Sequence, residues 1–177
     1  MAAIILPKGL IEKITERSRI DVEAFIIEAV QRLLNLDPEE ELETRLEIAK
    51  HMVRRAKEEL ERGDAVQASE KLYKAVEECI KVLACLHDIG ECRRAQEEGG
   101  WWTRLLAKAA RRLSSILRSQ LIIDAWSQGF DLHVHGFHEH GLSKEDVEIS
   151  LPVVEELVKY TAEQLEKEMK RTHEKRA

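Results

Sequence analysis

Two helix-forming segments on either side of Gly63 and Asp64 restrict the fold of this chain more than any other part of its sequence. In the first segment, apolar residues recur every three or four positions over residues 42–60, which is the spacing of one helix face. Asp37 and Pro38 suit the start of that helix, because aspartate caps helix N-termini and proline fits the first helical position. Gly63 can end it and Asp64 can cap the next helix. So short a connection predicts an antiparallel helical hairpin.

Helical spacing continues through most of the chain, which predicts an all-α fold. The predicted elements are helices over about 8–18, 21–35, 38–62, 65–86, 101–118, from 119 into a histidine-rich segment, and 143–172, with a loop over 87–100 that contains one polar turn at most. Together they predict an up-and-down antiparallel bundle of four to five main helices with a short helical N-terminal extension. The predicted domain organisation is an N-terminal arm and two short helices over 1–36, the bundle over 37–172 and a frayed tail over 173–177.

The N-terminal residues 2–6 read AAIIL and are predicted to form a short strand or arm. A strand followed by two short helices is also the layout of ribbon-helix-helix repressors. The DNA-reading strand of such a repressor must alternate polar and apolar residues, and this segment has no polar side chain. The sequence therefore favours an apolar arm that packs on the body of the protein or on a partner subunit.

Composition narrows the class of protein. The net charge of −6 disfavours a chain that coats nucleic acid indiscriminately, but it is compatible with a local basic patch. The charged share of 35% suits long solvated helices and the ion-pair-rich surface of a thermophile. No apolar run reaches the roughly 18 residues of a membrane span, which predicts a cytoplasmic protein without a membrane partner. Cys79, Cys85 and Cys92 are predicted to be reduced and buried, with a Cys85–Cys92 bridge as the alternative.

A basic face is predicted on the helix over about 101–118, because no acidic residue occurs from Gly99 to Ile123. At 100° per residue the cationic side chains fall on one side of that helix and Trp102 falls on the core side. The residues of this predicted basic face are Trp101, Arg104, Lys108, Arg111, Arg112 and Arg118. Such a face can hold phosphates while its indole stacks on a base. The alternative is a solvated surface that pairs with glutamates elsewhere.

Four of the seven histidines lie between Asp131 and Gly141. Projected as an α-helix, His133 falls on the apolar side, whereas Asp131, His135 and His138 share the polar side. These three are the candidate catalytic residues, since an imidazole titrates near neutral pH and can transfer protons. They could also offer two imidazoles and a carboxylate to a metal, but nothing elsewhere completes a ligand set, so neither a metal nor a cofactor is predicted. His140 is predicted to lie past the helix end.

Two segments resemble the HEPN superfamily of nucleotide-binding helical bundles, and most of all its archaeal PaREP branch. Residues 63–84, GDAVQASEKLYKAVEECIKVLA, resemble the helix-opening signature, and residues 132–139, LHVHGFHE, resemble the second motif of that branch. The resemblance covers about residues 40–170. It implies a four- or five-helix bundle, often a homodimer joined near the histidine motif.

Many HEPN proteins are ribonucleases, and many of these are toxins paired with nucleotidyltransferase antitoxins. Their catalytic motif is an arginine followed, after four to six residues, by a histidine. Here His135 takes the histidine position, but Gly129 or Phe130 fills the arginine position. Because that arginine stabilises phosphate charge, its absence disfavours efficient catalysis. The PaREP branch itself has no established activity.

Three functions remain open at this stage. The first is a HEPN-like homodimer that binds a nucleotide, RNA or a partner protein, such as an antitoxin-like chain, without efficient catalysis. The second is a metal-independent ribonuclease in which His135 acts with Arg111, Arg112 or Arg118 from across a dimer interface. The third is a structural module for protein–protein interaction.

Overall fold

The structure is a computed structural model that describes residues 5–18, 22–34 and 36–176, and no strand occurs among these residues. Its elements in chain order are α1 (Lys8–Ser18), α2 (Val22–Leu34), α3 (Pro38–Glu61), α4 (Ala65–Leu86), α5 (Gly90–Glu97), α6 (Thr103–Ile116), α7 (Gln120–Asp131), a π-helix (Leu132–His138) and α8 (Lys144–Arg176). The predicted all-α class is confirmed for this part of the chain. In the same part, no helix combines the length and the apolar character that crossing a membrane requires.

The chain divides into two compact units, residues 1–37 and residues 38–177. The first contains α1 and α2, close to the predicted bounds of the two short helices. The predicted strand over residues 2–6 begins outside the described residues, and Ile5 and Leu6 belong to no helix or strand. The second unit is the helical bundle, and it contains every candidate functional residue.

The hairpin of α3 and α4 forms as the sequence predicts. Gly63 adopts a φ of +79°, a left-handed conformation that glycine adopts without strain. Asp64 then caps α4, its Oδ1 accepting the backbone N–H of Gln67 at 2.9 Å. These two residues therefore reverse the chain within one short turn.

Helix α4 is the centre of the bundle, because α3, α6, α7, the π-helix and α8 all pack against it. Its sequence predicts burial on one face, but the structure buries its whole circumference, including the charged residues Glu70, Lys71, Glu77 and Glu78. Burying charge is costly unless the charge is paired. Each of these side chains therefore needs a specific partner within the bundle.

The predicted loop over residues 87–100 is wrong, since it contains α5. This two-turn helix is mostly polar, so its sequence carries little apolar periodicity. It is held by tertiary contacts, with Ile89, Cys92 and Ala95 buried. Short helices in proteins depend on such packing more than on intrinsic propensity.

The prediction of three reduced cysteines is also wrong. Cys85 at the end of α4 and Cys92 in α5 form a disulfide, so the alternative pairing is the one observed. Cys79 remains a free, buried thiol, and burial raises its pKa to about 12. The disulfide fastens α5 to the last turn of α4.

Helix α8 begins at a reciprocal capping box, as predicted. The Ser143 N–H donates to Asp146 Oδ2 at 2.8 Å, and the Asp146 N–H donates to Ser143 Oγ at 3.2 Å. The helix continues through Pro152 and reaches Arg176, so helical structure extends into residues 173–176, where the sequence predicts a frayed tail.

A buried ion-pair network joins α3 to α4. Glu78 accepts hydrogen bonds from Arg45 at 2.8 Å and from Lys81 at 2.6 Å, and Arg45 also donates to Glu41 at 2.8 Å. Burial alone would raise the pKa of Glu78, but the charges of Lys81 and Arg45 and their hydrogen bonds outweigh it and lower this pKa to about 2. Glu78 is therefore ionised in the folded protein over almost the whole pH range.

Replacing Glu78 with glutamine is expected to lower the free energy of unfolding at pH 7 by about 3 kcal/mol, because Arg45 and Lys81 lose the negative charge that compensates them. The folded-state pKa of Glu78 is depressed below its ordinary value of 4.5, so its contribution is present above that value and is lost as the pH falls towards 2. Urea unfolding at several pH values measures this. The exposed Glu43→Gln is the matched control. A stability gap between wild type and Glu78→Gln that stays constant from pH 6 to pH 2 contradicts the assignment.

Candidate functional site

The histidine segment is wound as a π-helix, which continues directly from α7. In a π-helix each N–H bonds to the carbonyl five residues earlier, and the Glu139 N–H accordingly donates to the Val134 carbonyl at 3.0 Å. Such widened turns are rare and often occur at functional sites.

Two glycines allow this segment to lie directly on α4. A Cβ on Gly129 would meet the side chain of Val76 at 3.1 Å. A Cβ on Gly136 would meet Ser69 Cβ at 2.6 Å, closer than real carbon atoms approach. Glycine has a low helix propensity. At these two positions, however, the absence of a side chain allows the segment to pack against α4.

The π-helix places His133 beside His138. Five residues span 500° on an α-helix, so the sequence projection puts these two histidines on different sides. Bonding to the fifth residue instead stacks them one turn apart, and their Nε2 atoms are 3.1 Å apart. The prediction that His138 shares one helix face with His135 and Asp131 is therefore wrong, because His138 lies beside His133 instead.

A buried carboxylate orients this histidine pair. His133 Nδ1 donates to Glu70 Oε2 at 2.7 Å, and the Glu70 side chain is completely buried. The ring of Tyr73 stacks on His133 with a centroid separation of 4.2 Å, and Phe137 lies on the same ring at 6.2 Å. His133 is thus a half-buried, hydrogen-bonded histidine, as predicted, but it also links Glu70 to the exposed His138.

Sequence reasoning missed both Glu70 and Tyr73. Glu70 lies on a helix that also carries Glu77 and Glu78, and no local pattern distinguishes the three. The partner of Glu70 is 63 positions away, so only the tertiary fold identifies it.

His135 lies elsewhere on the surface, between two carboxylates. Its Nδ1 is 2.6 Å from Glu139 Oε2 and its Nε2 is 3.7 Å from Asp131 Oδ1. The hydrogen bond to Glu139, with the charges of Glu139 and Asp131, raises the pKa of His135. A raised pKa favours the protonated imidazole, and only the neutral form can act as a general base. His140 follows the π-helix with a φ of +54°, past the helix end as predicted.

The predicted basic face is present on α6, but the tryptophan beside it differs from the predicted one. Leu105, Leu106, Ala109, Ala110 and Leu113 are buried, which leaves Arg104, Lys108, Arg111 and Arg112 exposed. Arg118 lies in the turn beyond the helix with a φ of +50°.

The indole beside this face is Trp102 rather than Trp101. Helix α6 begins only at Thr103, so the helical projection does not apply to either tryptophan. Trp102, predicted to face the core, is 61% exposed, whereas Trp101 is half-buried. A small cleft next to Trp102 is lined by Arg94, Glu98, Trp102, Arg104, Leu105 and Lys108.

Some of the cations have partners within the chain. Arg112 lies 3.3 Å from Glu91, and Arg111 donates to the carbonyl of Ala107 at 3.1 Å. Arg94 donates to Glu98 at 2.6 Å, and this hydrogen bond lowers the pKa of Glu98. The alternative of a solvated face paired with glutamates thus describes Arg112, and Glu98 also interacts with the charge of Arg104 and accepts a hydrogen bond from Trp102. Arg104 and Lys108 remain exposed beside Trp102.

Tyr73 connects the two candidate sites. Its buried hydroxyl bonds to Thr103 in the first turn of α6 and to Glu77, and its ring stacks on His133. Burial, followed by the charge of Glu77, raises the pKa of Tyr73, so the phenol stays protonated. Tyr73 therefore contacts both the first turn of α6 and the histidine pair.

No group of three or more histidine, cysteine or acidic side chains suited to a metal ion occurs within the described ranges. An open groove with a volume of about 560 Å³ lies between α7 and α8. Its lining includes Asp131, Asp146 and the exposed Ile149. It contains neither His133 nor His138.

The bundle has recognisable relatives. The model of the archaeal PaREP1/PaREP8 family matches residues 44–176. A crystal structure of a protein from Sulfolobus solfataricus is 34% identical, with a TM-score of 0.62, and the match covers 67% of this chain and 96% of that one. A solution structure of the Orf c02003 protein is 35% identical, with a TM-score of 0.60 and coverage of 67% and 92%. No curated protein matches at the significance level applied.

Replacing Gly136 with alanine is expected to lower the free energy of unfolding by about 2 kcal/mol or more, because the new Cβ overlaps Ser69. Gly129→Ala is expected to cost less, since Val76 can move by a few tenths of an ångström. Ser69→Gly in the Gly136→Ala background should recover part of the loss. Denaturant unfolding measures all of these. If Gly136→Ala proves as stable as wild type, the close contact is wrong.

Proposed function

The chain belongs to the archaeal PaREP1/PaREP8 family, and we propose that it binds single-stranded RNA through Trp102 and the adjacent cations of α6. The observation that carries this proposal is the exposed indole beside Arg104 and Lys108. Proteins that bind single strands combine aromatic side chains, on which bases stack, with cations that follow the phosphates.

The local charge supports this proposal against the overall charge of the chain. The chain carries a net charge of −6, yet residues 99–123 contain no acidic residue. An anionic ligand is therefore repelled by most of the surface and attracted to this segment. The arrangement favours specific binding at one site over coating of a nucleic acid.

Homodimer formation, the wider HEPN relationship and an antitoxin-like partner belong to this proposal as well. Phe130 and Ile149 lie on α7 and α8 with exposed fractions of 40% and 76%. Exposed apolar side chains near the histidine segment suit a contact with a second copy. The third function considered from the sequence, a pure interaction module, predicts such a contact but no RNA binding.

Fluorescence anisotropy with a labelled single-stranded RNA tests the proposal. At low salt Trp102→Ala is expected to weaken binding by about 5- to 100-fold, the range for loss of one stacked base. Replacing both Arg104 and Lys108 with alanine should lower the slope of log affinity against log salt by about 0.7 for each lost phosphate contact.

The matched control is Lys159→Ala, which removes an exposed cationic side chain from α8. This variant should bind as the wild type does. Light scattering on the same samples gives the oligomeric state. The proposal is lost if the wild type does not bind at low salt, or if Trp102→Ala binds as the wild type does.

We also propose a second function, general acid–base catalysis on the bound RNA by His138. Glu70, His133 and His138 form a chain of hydrogen bonds. This chain favours His138 as the catalytic residue over His135, which the sequence suggested. A buried carboxylate fixes His133 with its hydrogen on Nδ1, so the Nε2 of neutral His133 accepts from the Nε2–H of His138. The Nδ1 of His138 then carries a lone pair.

In such a reaction His138 Nδ1 removes the proton of a ribose 2′-hydroxyl while the 2′-oxygen attacks the adjacent phosphorus. The bond from phosphorus to the 5′-oxygen breaks, and that oxygen takes the proton back from His138. The products are a 2′,3′-cyclic phosphate and a 5′-hydroxyl end. Tyr73 and Glu70 position His133 and touch no substrate atom.

Cleavage of a labelled RNA on denaturing gels, without added metal, measures this activity. His138→Gln is expected to reduce the rate by at least about 100-fold, the usual contribution of one acid–base group. His135→Gln should cleave at the wild-type rate. Absence of cleavage by the wild type, or cleavage that survives His138→Gln, would falsify this second function.

A further inference from the structure

We infer that the Nε2 atoms of His133 and His138 form a binding site for a borderline divalent cation such as Zn²⁺. These atoms are 3.1 Å apart. In a tetrahedral zinc site, with Zn–N distances of about 2.0–2.1 Å, two ligand nitrogens lie about 3.3 Å apart. The two imidazoles thus already stand close to the separation that one cation imposes.

The orientation of His133 supports the same site. Its Nδ1 donates to Glu70 Oε2 at 2.7 Å, which leaves the lone pair of the neutral ring on Nε2, facing His138. Metal-binding histidines commonly donate their second nitrogen to a carboxylate in this way, which fixes the ring and makes it a better ligand. The stacked ring of Tyr73 restricts the remaining rotation of the imidazole.

The burial of Glu70 is a further observation. Its side chain is completely buried, and its Oε1 has no hydrogen-bond partner among the described residues. A buried carboxylate is costly unless a positive charge compensates it. A dication held on the far side of His133 supplies such a charge through the imidazole ring.

The site is open on its outer side. The His138 side chain is exposed, so a cation reaches both nitrogens from solvent. Because no three-ligand group occurs in the described part of the chain, water or a phosphate oxygen would fill the remaining positions. Two imidazole nitrogens select Zn²⁺, Cu²⁺ or Ni²⁺ over Mg²⁺ and Ca²⁺, which prefer oxygen ligands. A bound cation would also occupy the His138 imidazole and stop it from transferring protons.

Calorimetric titration of the tag-free, EDTA-treated full chain with zinc chloride tests the inference. One zinc ion per chain is expected. His138→Gln should weaken binding by about tenfold or more, because it removes one of two ligands, and Glu70→Gln by about 10- to 100-fold. His135→Gln is the matched control, since it removes an exposed imidazole from the same segment but leaves the pair intact.

The ¹⁵N signals of the imidazole rings give a second readout. Zinc should shift the Nε2 signals of His133 and His138 and leave those of His135 unchanged. His138 is exposed, so its variant should fold normally, which circular dichroism verifies. The inference is overturned if no zinc binds, or if His138→Gln and His135→Gln bind zinc equally, which would show adventitious surface binding only. RNA binding at Trp102 depends on other residues and is measured by anisotropy, so either result can fail without the other.

Discussion

The close contact between the π-helix and α4 is the constraint on which the candidate site depends. At Gly136 the backbone lies so close to the Ser69 side chain of α4 that no Cβ fits, and Gly129 makes a similar contact with Val76 seven residues earlier. Seven residues is about two helical turns, so the contacts at Val76 and Ser69 follow one line along α4. Only a segment held this near to α4 can bring His133 within hydrogen-bonding distance of Glu70.

Because α4 is buried on all sides, each of its buried carboxylates needs a defined partner. Glu78 is compensated by Arg45 and Lys81, and Glu77 by Lys74. Glu70 differs, because its ion-pair partner is a histidine and one of its oxygens has no hydrogen-bond partner in the described part of the chain. Three carboxylates on one helix thus have two roles. Two of them are paired with permanent cations, and the third is directed at an ionisable ring that continues to the surface.

The two candidate sites share a structural element rather than a cleft. Tyr73 bonds to the first turn of α6 with its hydroxyl and supports His133 with its ring. Tyr73 is therefore the side chain that the two candidate sites have in common. His135, which the resemblance to HEPN ribonucleases indicated, is instead engaged by Glu139 and Asp131. The arrangement favours chemistry at His138 over chemistry at His135.

The amino-acid sequence alone determined the helical class, the α3–α4 hairpin, the Asp64 cap of α4 and the exposure of the cations of α6, because these follow from local spacing and from backbone preferences. It failed at α5, where packing overrides a mostly polar pattern, at the disulfide, which joins cysteines seven positions apart, and at Trp102, because α6 begins only at Thr103. The pairing of His133 with His138 was the feature that tertiary structure decided most. A projection at 100° per residue assumes an α-helix, and the glycine contacts with α4 accompany a π-helix instead, which places His133 beside His138 and Glu70 behind them both.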